Sequence, residues 1–234
     1  MGSAKHHFEG SVEYLQGKKK ILFLTTSNRW SGETGWEKAK STLLAYRMQE
    51  LLGMERVQII EIPQLKIYPC EWNISTASGN TCGFKKAQLK DSKKNPSGQH
   101  RCWASINNPD DELWKVSKAL LDADAVVFFS SIRWGQLNSY YQTLIERLTW
   151  LENRHSTLGE DNILSQIDAG IVIVNQNWRG KEVLAMQKEV LSFYGFQTPE
   201  ALSWNWQYLH DEHEESPESY KEAFSAFKKI FLQK

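Results

Sequence analysis

The stretch Ala123-Asp124-Ala125-Val126-Val127-Phe128-Phe129-Ser130-Ser131-Ile132-Arg133-Trp134-Gly135 decides the fold. Ala125–Phe129 is continuously apolar and of strand length, so a strand here buries both of its faces. Ser130 to Gly135 then turns polar and ends in glycine, the pattern of a strand running out into a loop. Similar apolar runs stand at Ile21–Leu24, Val57–Ile62 and Ile171–Val174, with a short fifth candidate at Ala201–Trp204. Helical spacing separates them. Ala39, Leu43, Leu44, Leu51 and Leu52 close on Gly53, and Leu113, Val116, Leu120 and Leu121 follow the acidic start Asp110-Asp111-Glu112. Tyr140 to Leu151 marks a third helix, and Val183, Met186, Val190 and Tyr194 a fourth that stops at Gly195. Ser216-Pro217-Glu218 suits the start of a last helix, with Tyr220, Phe224, Phe227 and Phe231 as its expected buried face. Strands buried on both sides need helices above and below. The expected fold is therefore α/β, a three-layer doubly wound domain on a five-stranded parallel sheet with right-handed crossovers.

Composition narrows the function classes. Among 234 residues, 28 Lys plus Arg balance 28 Asp plus Glu, so no cation surplus exists to displace nucleic-acid counterions. Hydrophobic residues at 41% supply a core, and the apolar runs are too short to span a bilayer. No signal-like segment opens the chain, and three Cys make an odd count for a disulfide scaffold. These features predict a cytoplasmic protein with neither nucleic acid nor membrane as partner.

Two segments stand outside the pattern. Residues 1–17 are polar and glycine-bearing and are expected to be a flexible N-terminal tail, with residues 18–234 a single domain. Residues 63–109 are too long for an ordinary connection after the second strand, and read as an insertion carrying Cys70, Cys82, Cys102, His100, Trp72, Phe84 and Trp103. Three thiolates and an imidazole could satisfy a zinc ion, but the paired-ligand spacing is missing, so free, mostly buried thiols and no metal are expected. His210, Asp211 and His213 lie in an acidic run that reads as a solvated loop.

In a doubly wound sheet, ligands bind beyond the carboxyl ends of the strands. After the first strand stand Thr26-Ser27-Asn28-Arg29-Trp30-Ser31-Gly32-Glu33-Thr34, hydroxyls and a guanidinium ahead of a helix start that attracts a phosphate. The loop is neither a Walker sequence nor Gly-x-Gly-x-x-Gly, which favours a monophosphate. After the third strand come Ser131, Ile132, Arg133, Trp134, Gly135 and Gln136, and after the fourth Asn175, Gln176, Asn177 and Trp178. Rings and amides at neighbouring strand ends offer a wall and an edge for a flat heteroaromatic ring.

These motifs resemble those of flavodoxin-like flavoproteins of the NADPH-dependent FMN reductase family. Thr26-Ser27-Asn28-Arg29-x-x-Gly32-x-Thr34 is similar to their phosphate loop, and Ala123 to Gly135 to their Ala-Asp-Gly…Ser-Pro-x-Tyr-Trp-Gly segment. The helix ending Leu144-Ile145-Glu146-Arg147-Leu148 matches as well. The resemblance implies a 2-1-3-4-5 sheet and one bound FMN. Ser27, Arg29, Ser31, Gly32 and Thr34 would hold the phosphate. Ser131, Ile132, Arg133, Trp134, Gly135 and Gln136, with Asn175, Gln176, Asn177 and Trp178, would embrace the isoalloxazine. Asn28 and Ser131 replace prolines, Arg133 a tyrosine and Glu33 an asparagine. An alternative register makes Ser41-Thr42 the phosphate hydroxyls.

The expected function is FMN-dependent transfer of electrons from NAD(P)H to a small acceptor such as a quinone or free flavin. Arg133 is the candidate catalytic residue, stabilising the reduced, anionic ring from its pyrimidine edge. The alternatives are a flavodoxin-type electron carrier and a flavodoxin-fold domain without catalytic activity. The family also implies a homodimer or homotetramer.

Overall fold

The structure is a computed structural model that describes residues 2–29, 37–209 and 215–232. Strands β1 (Ile21–Thr25), β2 (Val57–Glu61), β3 (Ala125–Arg133), β5 (Asp168–Asn175) and β6 (Trp204–Gln207) pair in parallel in the order β2-β1-β3-β5-β6. The two-residue β4 (Gln136–Leu137) folds back antiparallel on the end of β3, pairing Arg133 with Gln136. Without that hairpin, the order is the doubly wound 2-1-3-4-5 arrangement.

The apolar runs explain the layers, because successive strand residues point to opposite faces. Leu22, Leu24, Val126, Phe128, Ile171 and Ile173 meet one set of helices: α4 (Leu113–Leu121), α5 (Ser139–Arg147), α6 (Thr149–Ser156) and α7 (Gly180–Phe193). Ile21, Phe23, Val127, Phe129, Val172 and Val174 meet the other: α1 (Gly2–Gln16), α2 (Lys40–Leu52) and α8 (Pro217–Phe227). Each fully buried Phe among them contributes about 1.5–3 kcal/mol of transfer energy.

Several elements differ from the sequence expectation. Within the segment expected as an N-terminal tail, Gly2–Gln16 form helix α1. Phe8, Val12 and Leu15 stand at i, i+4 and i+7, so α1 has an apolar stripe, and Phe8 and Leu15 are buried against the sheet layer. Tyr14 donates from its hydroxyl to Asp168 (2.6 Å), and Trp204 Nε1 donates to Ser11 (2.9 Å). The Arg56 guanidinium caps α1 by donating to the carbonyl of Gln16 at 2.7 Å. The last strand starts at Trp204, because Glu200–Leu202 form a tight 3₁₀ turn instead. The third helical pattern breaks at Leu148 into α5 and α6. Phe227 at the end of α8 and Phe231 in the π-helical turn that follows are buried, whereas Tyr220 is exposed and Phe224 half-buried. Ser216 caps α8 in a reciprocal box with Ser219.

The insertion folds over α5 and α6, and includes the short α3 (Trp103–Asn107). Its anchor is the Arg147 guanidinium, wholly buried with its partner Asp111 at 2.8 Å. Arg147 also donates to the Tyr68 carbonyl (2.6 Å) and to the Ser105 hydroxyl (2.9 Å). Asp111, expected as one of three acidic groups at a helix start, is therefore also a buried counter-ion to Arg147. Burial alone would raise its carboxyl pKa, but the Arg147 bond and charge outweigh that and hold it below the usual range.

Candidate functional site

The carboxyl ends of β1, β3 and β5 meet beside the start of α2. Ser27, Arg29, Ala39, Lys40, Ser41, Ser131, Ile132, Arg133, Val174, Gln176 and Tyr208 line a cavity there of about 90 Å³. A hydroxyl chain runs along its floor. Ser27 donates to Ser131 (3.2 Å) and lies 2.6 Å from the Ser41 hydroxyl. Ser27 has one hydroxyl proton, so Ser41 donates to Ser27, and the Ser131 proton is left for a ligand acceptor.

A second network fixes the strand ends. Thr26 donates to Ser130 (2.9 Å), and the Asn138 amide donates to Ser130 (3.0 Å) and Thr26 (3.3 Å) while its carbonyl oxygen caps α5. These groups are buried and mutually satisfied, which holds the β1 and β3 ends at fixed spacing.

The helix start supplies the electrostatics. Among the described residues, no side chain caps the N-terminus of α2, where Ala39 takes the cap position, and a helix start of this kind attracts an anion. Lys40 reaches over the rings of Tyr208 (4.9 Å) and Phe224 (5.4 Å). Burial lowers the Lys40 ammonium pKa, and the like charge of Arg29 lowers it further. An anion between these two cations relieves both penalties, so this donor set fits a phosphate group. The cavity is smaller than the roughly 300 Å³ lower bound typical of drug-sized ligand pockets. Its volume suits a phosphate-sized group rather than a whole drug-sized ligand.

The sequence candidates divide at this site. Ser27, Arg29, Ser131, Ile132, Arg133 and Gln176 converge on the cavity, while Ser31, Gly32 and Thr34 lie outside the described residues. Ser41, the alternative phosphate hydroxyl, stands at the helix start as that register requires. Arg133 donates to the side-chain amide oxygen Oδ1 of Asn28 at 3.2 Å and so bridges the β3 end to the β1 loop. The amides after β5 are engaged by protein: Asn175 with Gln207 (3.2 Å), Gln176 with the Tyr220 hydroxyl (2.8 Å) and Asn177 with Glu215 (3.0 Å). Trp134, Gly135, Gln136, Asn175, Asn177 and Trp178 are not among the lining residues; Trp134 is 97% exposed and Trp178 packs beside Gly135.

Lys40 and Tyr208 were missed by sequence reasoning. Lys40 follows the loop that carries the expected phosphate motif, and Tyr208 lies just beyond an edge strand. A lysine at the first position of the helix was the only available signal. A larger cavity of about 980 Å³ lies along β2 and α4, away from the convergent strand ends, so size alone does not locate the site.

The insertion's cysteines are free, with Cys82 and Cys102 buried and Cys70 half-buried. Burial pushes the Cys82 thiol up to about 12. Among the described residues, no group of three or more His, Cys, Asp and Glu is placed to hold a metal ion. His100 uses both ring nitrogens, with Ser117 at 2.8 Å and Ser105 at 2.9 Å. Ser105 donates to Asp111 (2.8 Å), so His100 carries its proton on Nε2 and accepts at Nδ1. Burial lowers this imidazole pKa to about 4, with Arg147 adding to the effect. His210, Asp211 and His213 fall outside the described residues. Among the described residues, no helix is long and apolar enough to cross a membrane.

No protein-family model matches the chain, and no curated protein matches it in sequence. Solved structures do resemble it. RosB with a bound 8-demethyl-8-formylriboflavin-5′-phosphate intermediate superposes with a TM-score of 0.60 at 15% identity, covering 91% of this chain and 75% of that one. An azoreductase from Bacillus anthracis gives 0.51 at 14% identity over 92% and 97% of the two chains. The azoreductase AzrA likewise gives 0.51 at 14%, over 91% and 97%. With the strand order and the position of the cleft, these likenesses establish that the chain has the flavodoxin-like doubly wound fold.

Proposed function

We propose that the protein is an FMN-dependent NAD(P)H oxidoreductase that passes electrons to a small acceptor such as a quinone or free flavin. The observation that carries this reading is the convergence of Ser27, Ser41, Arg29 and Lys40, at the start of α2, on a phosphate-sized cavity at the sheet's carboxyl edge. Superposition on RosB, whose structure holds a flavin phosphate, supports it at the level of fold. Ser31, Gly32 and Thr34 belong to this phosphate set by family resemblance.

Bound FMN would supply hydride acceptance and electron release. The chain's own part is positioning. Lys40 and Arg29 neutralise the phosphate, the spare Ser131 proton orients the ring edge, and Tyr208 gives the rim an aromatic wall. Arg133, held at the cleft mouth by Asn28, would offer a positive charge to stabilise a reduced, anionic flavin there. Asn175, Gln176 and Asn177 shape the site by tying the β5 loop to β6 and to the α8 region rather than by offering free amides. A homodimer completes the reading, as the family pattern implies.

Titration of the purified protein with FMN, followed by anaerobic addition of NADPH or NADH, tests the proposal. Stoichiometric binding and rapid bleaching of the bound flavin support it. A protein that does not take up FMN at high micromolar concentration refutes it. Binding without bleaching by either nucleotide favours the electron carrier.

A further inference from the structure

The two loop tips beside the cleft, which do not line the phosphate-sized cavity, carry features of their own. Trp134 is 97% exposed, although burial is the usual fate of an indole. It also sits at φ 51° ahead of Gly135 at φ 74°, the left-handed pair of a two-residue hairpin turn in which glycine or asparagine is at ease and tryptophan is strained. Across from it, Trp178 is 48% exposed, and Arg179 is likewise left-handed at φ 57°. The tips touch: a Cβ on Gly135 would stand 3.2 Å from the Trp178 ring and 3.5 Å from Arg179 Cδ. The Arg179 guanidinium lies 5.0 Å from the centre of the Trp178 ring. Exposed indole surface on touching tips, with the Arg179 guanidinium against one of the indoles, is complementary to a flat ring bearing negative charge.

We propose that Trp134, Trp178 and Arg179 form a stacking subsite for planar aromatic anions at the cleft mouth. As the docking place of the electron acceptor, this subsite rests on the flavin-reductase reading; as a binding site, it does not. A ligand ring stacks on the Trp134 indole while its carboxylate or sulfonate pairs with Arg179. The proposed selectivity is for anionic over uncharged aromatic acceptors of equal size.

The test uses 2-naphthalenesulfonate, which is redox-inert, with uncharged naphthalene methanol as the control, titrated calorimetrically into the full-length protein with and without FMN. W134G suits the turn's left-handed backbone, so it is expected to keep or raise the thermal midpoint, which separates lost binding from lost folding. The expected result is a sulfonate affinity weakened about tenfold in W134G and in R179Q, recovered in W134F, with the neutral control insensitive to R179Q. Unchanged sulfonate binding in both variants overturns the subsite. So does a W134G protein that loses self-association by light scattering while its sulfonate binding is unchanged, since the indole is then a subunit contact. Trp134-dependent sulfonate binding in a protein that refuses FMN upholds the subsite and refutes the flavin reading.

Discussion

Replacing Lys40 by methionine isolates the electrostatics of the helix start. The thioether keeps an aliphatic stem against Tyr208 and Phe224 and remains a good helix former, so α2 loses little. What disappears is one ammonium that is half-buried and already penalised by desolvation and by Arg29. Its removal therefore leaves no buried charge unpaired. A hydrogen bond to a charged group contributes about 1.5–3 kcal/mol, which at 1.4 kcal/mol per decade predicts about ten- to hundredfold weaker FMN binding. Riboflavin lacks the phosphate and should bind the variant and the parent alike, closing a cycle that assigns the loss to the phosphate. Because the Lys40 pKa is lowered, the charge in the free protein is lost at a lower pH than for an ordinary lysine. FMN affinity should accordingly decline on the alkaline side earlier than a free amine would dictate, and K40M should flatten that decline. Flavin fluorescence titration reads all three. An FMN constant changed less than threefold, or riboflavin weakened equally, would refute the assignment.

Other expectations follow from the same contacts. Asp111→Ala strands a wholly buried guanidinium and should cost about 3–5 kcal/mol in urea unfolding; because the carboxyl pKa is depressed, the pair's contribution is present above the unfolded value near 4 and disappears as pH falls below it. A difference between parent and variant that persists undiminished at pH 2 would contradict this. His100 titrates near 4 when folded against about 6.5 unfolded, so its contribution is complete above pH 6.5 and lost as acid reaches pH 4; the shift corresponds to about 3 kcal/mol, and H100Q should flatten stability across that window. Phe8→Ala should lower stability by about 3 kcal/mol, measurable by thermal unfolding, and a neutral result would mean that α1 does not pack. Gly83→Ala should loosen the insertion, since a Cβ there lies 2.7 Å from the Trp150 carbonyl oxygen at φ 82°; faster amide exchange over residues 73–84 is the readout.

Much of the fold was legible because burying both faces of a strand leaves a local mark. Val126, Val127, Phe128 and Phe129 have no polar alternation, and that alone demands helices on either side. Gly53 and Gly195 ended helices as expected, and Ser216 began one, because caps act on backbone groups within a few residues. The N-terminal helix escaped notice because its stripe is thin, one apolar residue per turn, and its burial depends on a distant surface at Trp204 and Phe231. The break at Leu148 escaped for a related reason, since periodicity continues across it.

The site was legible by position more than by identity. Sequence alone determined that the loops after β1, β3 and β5 end on one edge, because parallel strands joined by right-handed crossovers place their carboxyl ends together. It also determined that those loops hold hydroxyls, amides and arginines. Only the tertiary structure decided which of these groups remain free. Asn175, Gln176 and Asn177 are occupied by partners 32 to 44 residues away, whereas Lys40, which the family motif did not mark, lines the cavity at the start of α2. The physical reason is that a hydrogen-bonding group serves a ligand only if the fold leaves it unpaired, and that pairing is settled by contacts between segments that no local pattern records.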